Sequence, residues 1–163
     1  MTTQSEFAAL VSRLGAAATV GDGKAFAACF TEDGVYHDYI YGPHKGRDAI
    51  ADMLGNLFHR DAIDYDWRFL DPVCNGAIGY ARSLSRFVST LAEFKGREVV
   101  IDGISRFVLR GGLIAEYHES VNGGMAMAQL GVEPARMAKV MRRWANQFLA
   151  REDVAAYRAQ FRK

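Results

Sequence analysis

The chain has 163 residues, 50% of them hydrophobic and 24% charged, with a formal net charge of +1. That length suits one domain with a substantial core, and the near-neutral balance argues against nucleic acid or an anionic membrane as the main partner. Cys29 and Cys74 form neither a disulfide framework nor a metal-ligand spacing, and no apolar run reaches the ~18 residues of a membrane span, so a cytoplasmic setting is expected.

The opening "MTTQSEFAALVSRLG" reads as an amphipathic helix rather than a signal peptide. Phe7, Leu10, Val11, Leu14 and Ala18 recur at helical spacing and predict a helix over about 5–20. "GDGK" ends it, "AFAACF" predicts a short second helix, and Thr31-Glu32-Asp33-Gly34 reads as a turn. A strand is predicted over 35–41, broken by Gly42-Pro43. "GRDAIADMLGNLFHR" then predicts a third helix burying Ile50, Leu54, Leu57 and Phe58.

Four long strands are expected next: "AIDYDWRFLD", "AIGYARSLSRFVSTL", "EVVIDGISRFVL" and "LIAEYHESVN". Asp71-Pro72 with Asn75-Gly76, then Lys95-Gly96 and Gly111-Gly112, are read as the turns between them. After Gly123-Gly124 the chain reads as helix, with Met137, Val140, Met141, Trp144 and Leu149 forming an apolar stripe opposite arginines. The expected fold class is α+β: N-terminal helices on a cone-shaped, curved antiparallel sheet, followed by a C-terminal helical extension. Residues 1–124 are expected to form the cone and 125–163 the extension of the same domain.

"FTEDGVYHDY", "GRDAI" and the closing "GGLIAEYHESVN" resemble the nuclear transport factor 2-like superfamily, in its SnoaL-like, limonene epoxide hydrolase-like and ketosteroid isomerase-like branch. The similarity covers about residues 5–125. It implies a pocket inside the cone, and sheet-to-sheet homodimers are common in this fold, so a homodimer is expected. The superfamily holds isomerases, dehydratases, cyclases, hydrolases and non-enzymes, so the resemblance is specific for the fold and not for one reaction.

Aligned with limonene epoxide hydrolases, Tyr36 falls on a water-holding tyrosine and Asp38 on an asparagine. Arg82 falls on an arginine that bridges two catalytic aspartates, and Glu119 on the aspartate that serves as base. Tyr117 replaces a pocket tryptophan, and Leu84 stands where that family has its acid. Aligned with ketosteroid isomerases, Asp38 would be the base and Asp102 a protonated donor to an oxyanion. The two alignments differ by one residue in that strand, which leaves open whether Asp102 or its neighbours Ile101 and Gly103 point inward.

Period-two alternation puts Tyr36 and Asp38 on one strand face, about 7 Å apart. Tyr80, Arg82, Leu84 and Arg86 share another face, and Tyr117, Glu119 and Val121 a third. If these faces converge, the pocket holds two carboxylates, a phenol and a guanidinium. A desolvated carboxylate makes a base near neutral pH, Arg82 would orient Glu119, and Tyr36 could donate to a developing oxyanion. Catalytic candidates are therefore Asp38, Tyr36, Arg82, Glu119 and Asp102; ligand-contact candidates are Tyr117, Leu84, Trp67, Ser105 and Val121. Trp67 reads first as core or interface. Alternation turns His37 and His118 away from the pocket, and the four histidines show no metal-ligand spacing, so no metal is expected.

The expected function is cofactor-independent acid–base catalysis, as an isomerase, dehydratase or cyclase, on a small apolar steroid-, terpenoid- or polyketide-like molecule. The alternatives are an epoxide hydrolase with a rearranged site and a non-catalytic binding or oligomerising module.

Overall fold

In the computed structural model, which describes residues 1–38 and 40–161, the chain opens on helix α1 (Gln4–Val20). A capping box starts it: Thr3 accepts from the Glu6 backbone N–H while the Glu6 carboxylate accepts from that of Thr3. Phe7, Leu10, Val11, Leu14 and Ala18 are buried, and Gly21 closes the helix at φ 73°. Asp22 caps α2 (Gly23–Ala28) through the Ala25 N–H. Helix α3 (Arg47–Asp52) runs on into a wider π-helical stretch (Met53–Phe58) and a last turn, α4 (His59–Asp61).

The six strands are β1 (Phe30–Asp38), β2 (Gly42–Lys45), β3 (Ala62–Cys74), β4 (Ile78–Ser89), β5 (Glu98–Arg110) and β6 (Leu113–Val121). They form one curved sheet in the order β2-β1-β6-β5-β4-β3. The α+β layout is the expected one, with two differences. First, β1 and β6 run parallel, so the sheet is mixed rather than antiparallel throughout. Second, β1 starts at Phe30. Its Thr31–Gly34 segment, read as a turn, is an irregular stretch where β1 advances five residues against two of β6. The strand ends at Asp38, ahead of Tyr41, and position 39 lies outside the described residues. β2, which the sequence reading missed, carries Pro43 and stands at the sheet edge, where its missing N–H disturbs no ladder. Asp71 and Pro72, read as part of a turn, lie within β3, which runs on through them to Cys74.

Helices α1 and α2 pack on the inner face of the sheet over a mixed aliphatic and aromatic core that includes Phe7, Phe26, Phe30, Tyr36, Phe107 and Tyr117. Towards the other end of that face the core gives way to small residues. Ser83 and Ser85 point inward from β4, opposite Gly103 and Ile101 of β5. A Cβ on Gly103 would fall 2.6 Å from Val121 Cγ1 and 2.7 Å from the Ser120 carbonyl, so only glycine lets β5 and β6 approach this closely.

Three helices follow the sheet: α5 (Gly123–Leu130), α6 (Pro134–Ala150) and α7 (Glu152–Ala159). Met127 of α5 is buried, whereas α6 and α7 bury no residue fully. Among the described residues no helix is long and apolar enough to cross a membrane.

Candidate functional site

Where the inner face hollows out, a cavity of about 200 Å³ opens between the sheet, the α3–α4 segment and the C-terminal helices. β1 contributes Asp38, β3 Tyr65 and Trp67, β4 Ser83, Ser85 and Phe87, β5 Ile101, and β6 Glu119 and Val121. Tyr41, Phe58 and Asp61 come from the turn after β1 and the end of the α3–α4 segment. Met127 and Leu130 of α5 and Trp144 of α6 cover it from the C-terminal side. The indole of Trp144 fits because position 123 is glycine: a Cβ there would stand 2.6 Å from the ring.

Of the sequence candidates, Asp38, Glu119, Trp67 and Val121 border this cavity. Tyr36, Tyr117 and Ser105 do not; all three are fully buried behind it. The parallel register pairs Tyr36 with Tyr117, and their rings stack at 4.4 Å. Ser105 lies opposite Glu119 across β5–β6, and its Oγ is 2.9 Å from the Tyr117 hydroxyl. That hydroxyl donates to Glu119 Oε2 at 3.1 Å, which spends its one proton, so Ser105 donates to Tyr117. The result is a buried chain, Ser105 to Tyr117 to Glu119, ending at the cavity.

Three candidates are corrected. Arg82, Leu84 and Asp102 stand on the outer face of the sheet. β4 turns its odd-numbered residues inward, and the β4–β5 register sets Leu84 beside Asp102 on the far side. Arg82 is paired with Asp102, not Glu119: Nε donates to Oδ1 at 2.9 Å and Nη2 to Oδ2 at 3.3 Å, with both side chains about half exposed. Ile101 faces the cavity and Gly103 shares its side, which settles the one-residue ambiguity in that strand. The expected pairing of Arg82 with Glu119 is therefore absent from the cavity.

Electrostatics separate the carboxyl groups. Burial raises the pKa of Glu119, the negative charge of Asp38 raises it further, and the hydrogen bond from Tyr117 opposes them; the balance is about 7. Glu119 is partly buried and borders the cavity. Among the described residues its Oε1 accepts no hydrogen bond, which leaves that oxygen for a ligand. Asp38 is held by the chain that follows it: Oδ1 accepts from the N–H groups of Ile40 (2.8 Å) and Tyr41 (2.5 Å). Burial and then the charge of Glu119 push the Tyr36 phenol well above its usual range, so it stays protonated.

A second polar group, which the sequence reading missed, borders the same cavity. The Tyr41 hydroxyl donates to Asp61 Oδ2 at 2.6 Å, and Arg60 donates to both Asp61 oxygens. Arg60 keeps Asp61 below the usual carboxylate range, whereas burial and Asp61 raise Tyr41. These residues lie on a turn and a helix end, where no periodicity marks them. Ser83, Ser85 and Phe87 did carry a signal: they are the alternate face of the predicted strand.

On the outer face, His37 and His118 meet across the parallel β1–β6 pair and stack at 4.0 Å with their planes 12° apart. Glu116 joins them, with one ligand atom from each residue lying within 4.8 Å of the others. The sequence shows no metal-ligand spacing here; it is the parallel β1–β6 pairing that brings these three potential ligands together.

A family model described as the SnoaL-like domain matches residues 11–117. No curated protein matches the chain by sequence. Among solved structures, the chain is similar to TsrD from Streptomyces laurentii (17% identity, TM-score 0.71, covering 82% of this chain and 100% of that one). It is similar to a protein with a ketosteroid isomerase-like fold from Catenulispora acidiphila in complex with trimethylamine (18%, 0.68, 76% and 93%). It is also similar to a candidate polyketide cyclase from Xanthomonas campestris pv. campestris (24%, 0.65, 78% and 98%).

Proposed function

The chain belongs to the SnoaL-like domain family and has the nuclear transport factor 2-like fold, and from that premise we propose that it is an acid–base enzyme acting on a small, largely apolar molecule. Glu119 is the group that takes and returns the proton. The reaction class is isomerisation, dehydration or cyclisation, each of which needs a proton moved next to a polarised group. The similarity to a candidate polyketide cyclase supports the same class.

One observation carries the reading: a carboxyl group with a free oxygen, set in an apolar cavity, facing a second carboxylate and backed by a buried donor chain. Placed there, Glu119 exchanges its proton near neutral pH, where a carboxyl group in water is fully ionised. Tyr117, itself fixed by Ser105, holds Oε2 and leaves Oε1 to reach the substrate. Asp38 stays in place on its two backbone N–H groups, and its charge makes Glu119 the stronger base. The two carboxyl groups thus have different duties because their surroundings differ. Arg82 and Asp102, across the sheet, take no part.

The test needs no known substrate. Small apolar ketones with exchangeable α-hydrogens are incubated with the protein in D₂O, and deuterium uptake is followed by mass spectrometry. Uptake by the native protein and its loss in Glu119→Gln are expected. Equal uptake by a folded Glu119→Gln variant would refute the role of Glu119.

A further inference from the structure

The charge in the cavity is of one sign. Asp38, Asp61 and Glu119 all border it, and its described lining residues include no Lys, Arg or His. Arg60 does bond Asp61, but from the solvent side, with its own side chain 59% exposed. The rest of the wall is aromatic to an unusual degree: Tyr41, Phe58, Tyr65, Trp67, Phe87 and Trp144. Several of these rings are in mutual contact, Tyr65 with Phe87 at 5.4 Å and Phe58 with Tyr41 and Trp67 at 5.9 and 6.1 Å.

These two features select a ligand by charge. An anion entering the cavity would meet the carboxyl groups of Asp38 and Glu119, and an Asp61 whose charge is already paired with Arg60, with no basic side chain among the described lining residues. A hydrated inorganic cation would lose most of its water against an aromatic and aliphatic wall, with only a few carboxylate oxygens in return. A cation clothed in carbon suits both: the carboxylates attract it, and ring faces bind alkylated ammonium groups through their quadrupoles. We infer that the cavity binds an organic ammonium ion, a protonated or quaternary amine with apolar substituents. This deepens the acid–base reading, since it concerns the ligand of the same cavity. It also adds a step. A bound cation relieves the repulsion between Asp38 and Glu119, so ligand entry shifts Glu119 towards the ionised form that accepts a proton.

The test compares phenyltrimethylammonium with tert-butylbenzene, which has the same shape and no charge. The chain has two tryptophans, Trp67 and Trp144, and both border the cavity, so intrinsic fluorescence reports binding. The cation is expected to bind about ten-fold or more tightly than the neutral probe. Asp61→Asn, which removes a charge outside the proposed acid–base pair, should narrow that gap and leave tert-butylbenzene unaffected. Where Asp61→Asn does not fold, the isosteric Glu119→Gln makes the same comparison. Equal affinity, preference for the neutral probe, or no response to either probe at millimolar concentration overturns the inference. The deuterium-uptake experiment is independent: uptake that depends on Glu119 without ammonium preference sinks only the ligand class, and the reverse sinks only the catalytic role.

Discussion

The two faces of the β4–β5–β6 region are made from alternate residues of the same strands, yet they handle charge in opposite ways. The outer face carries Arg82, Arg86, Glu98 and Asp102, joined in half-exposed pairs that water screens. The inner face carries a single carboxyl group in that region, Glu119, which water does not reach freely and whose proton affinity therefore changes. Much charge in water has little effect, and little charge out of water has much. A residue's parity along the strand, more than its type, decides which regime it enters.

The largest effect should come from removing the inner charge: Glu119→Gln should lower the deuterium-uptake rate about 10²–10⁴-fold. An undiminished rate would erase the distinction between the faces.

The pH dependence of stability follows from the same group. Glu119 titrates near 4.5 when unfolded and near 7 when folded, so the native state binds the extra proton in between. Its contribution is complete below pH 4.5 and is lost as pH rises to 7, by roughly 3 kcal/mol. Urea unfolding at several pH values should show this decline, and Glu119→Gln should flatten it.

Bulk sharpens the contrast. Ser85→Phe should fill the cavity and abolish probe binding, at a cost of about 1–3 kcal/mol from overpacking. Leu84→Phe, one residue away on the outer face, should leave binding unchanged in the fluorescence titration.

Arg82→Leu should have the smallest effect. Breaking a half-exposed pair leaves Asp102 to water, so the melting temperature should move no more than for an ordinary surface substitution. A large drop would return Arg82 to the interior.

The sequence made the fold and half of the site legible. Tyr36 and Asp38, and Tyr117 and Glu119, were readable because each pair shares parity with a strong aromatic neighbour that must face the core. β4 misled because its hydrophobic alternation is inverted: Leu84 faces outward and Ser83 and Ser85 face inward. A cavity is made by missing volume, and periodicity registers only side chains that are large. Asp61 and Tyr41 were invisible for a different reason, since they meet through a turn and a helix end 20 residues apart.

The parallel pairing of β1 with β6 also sets an order of events. Asp38 and Glu119 are separated by most of the β meander, and β1 has no sheet partner except the four-residue β2 until β6 is in place. During synthesis the meander can therefore pair strand by strand as it emerges, while β1 waits. Docking of β1 on β6 is the contact of greatest sequence separation in the sheet and carries its largest loop-closure cost. The cavity is finished only when that edge docks. In a chain whose β1 has not docked, the two carboxyl groups stand apart and hydrated, and the unusual proton affinity of Glu119 is absent.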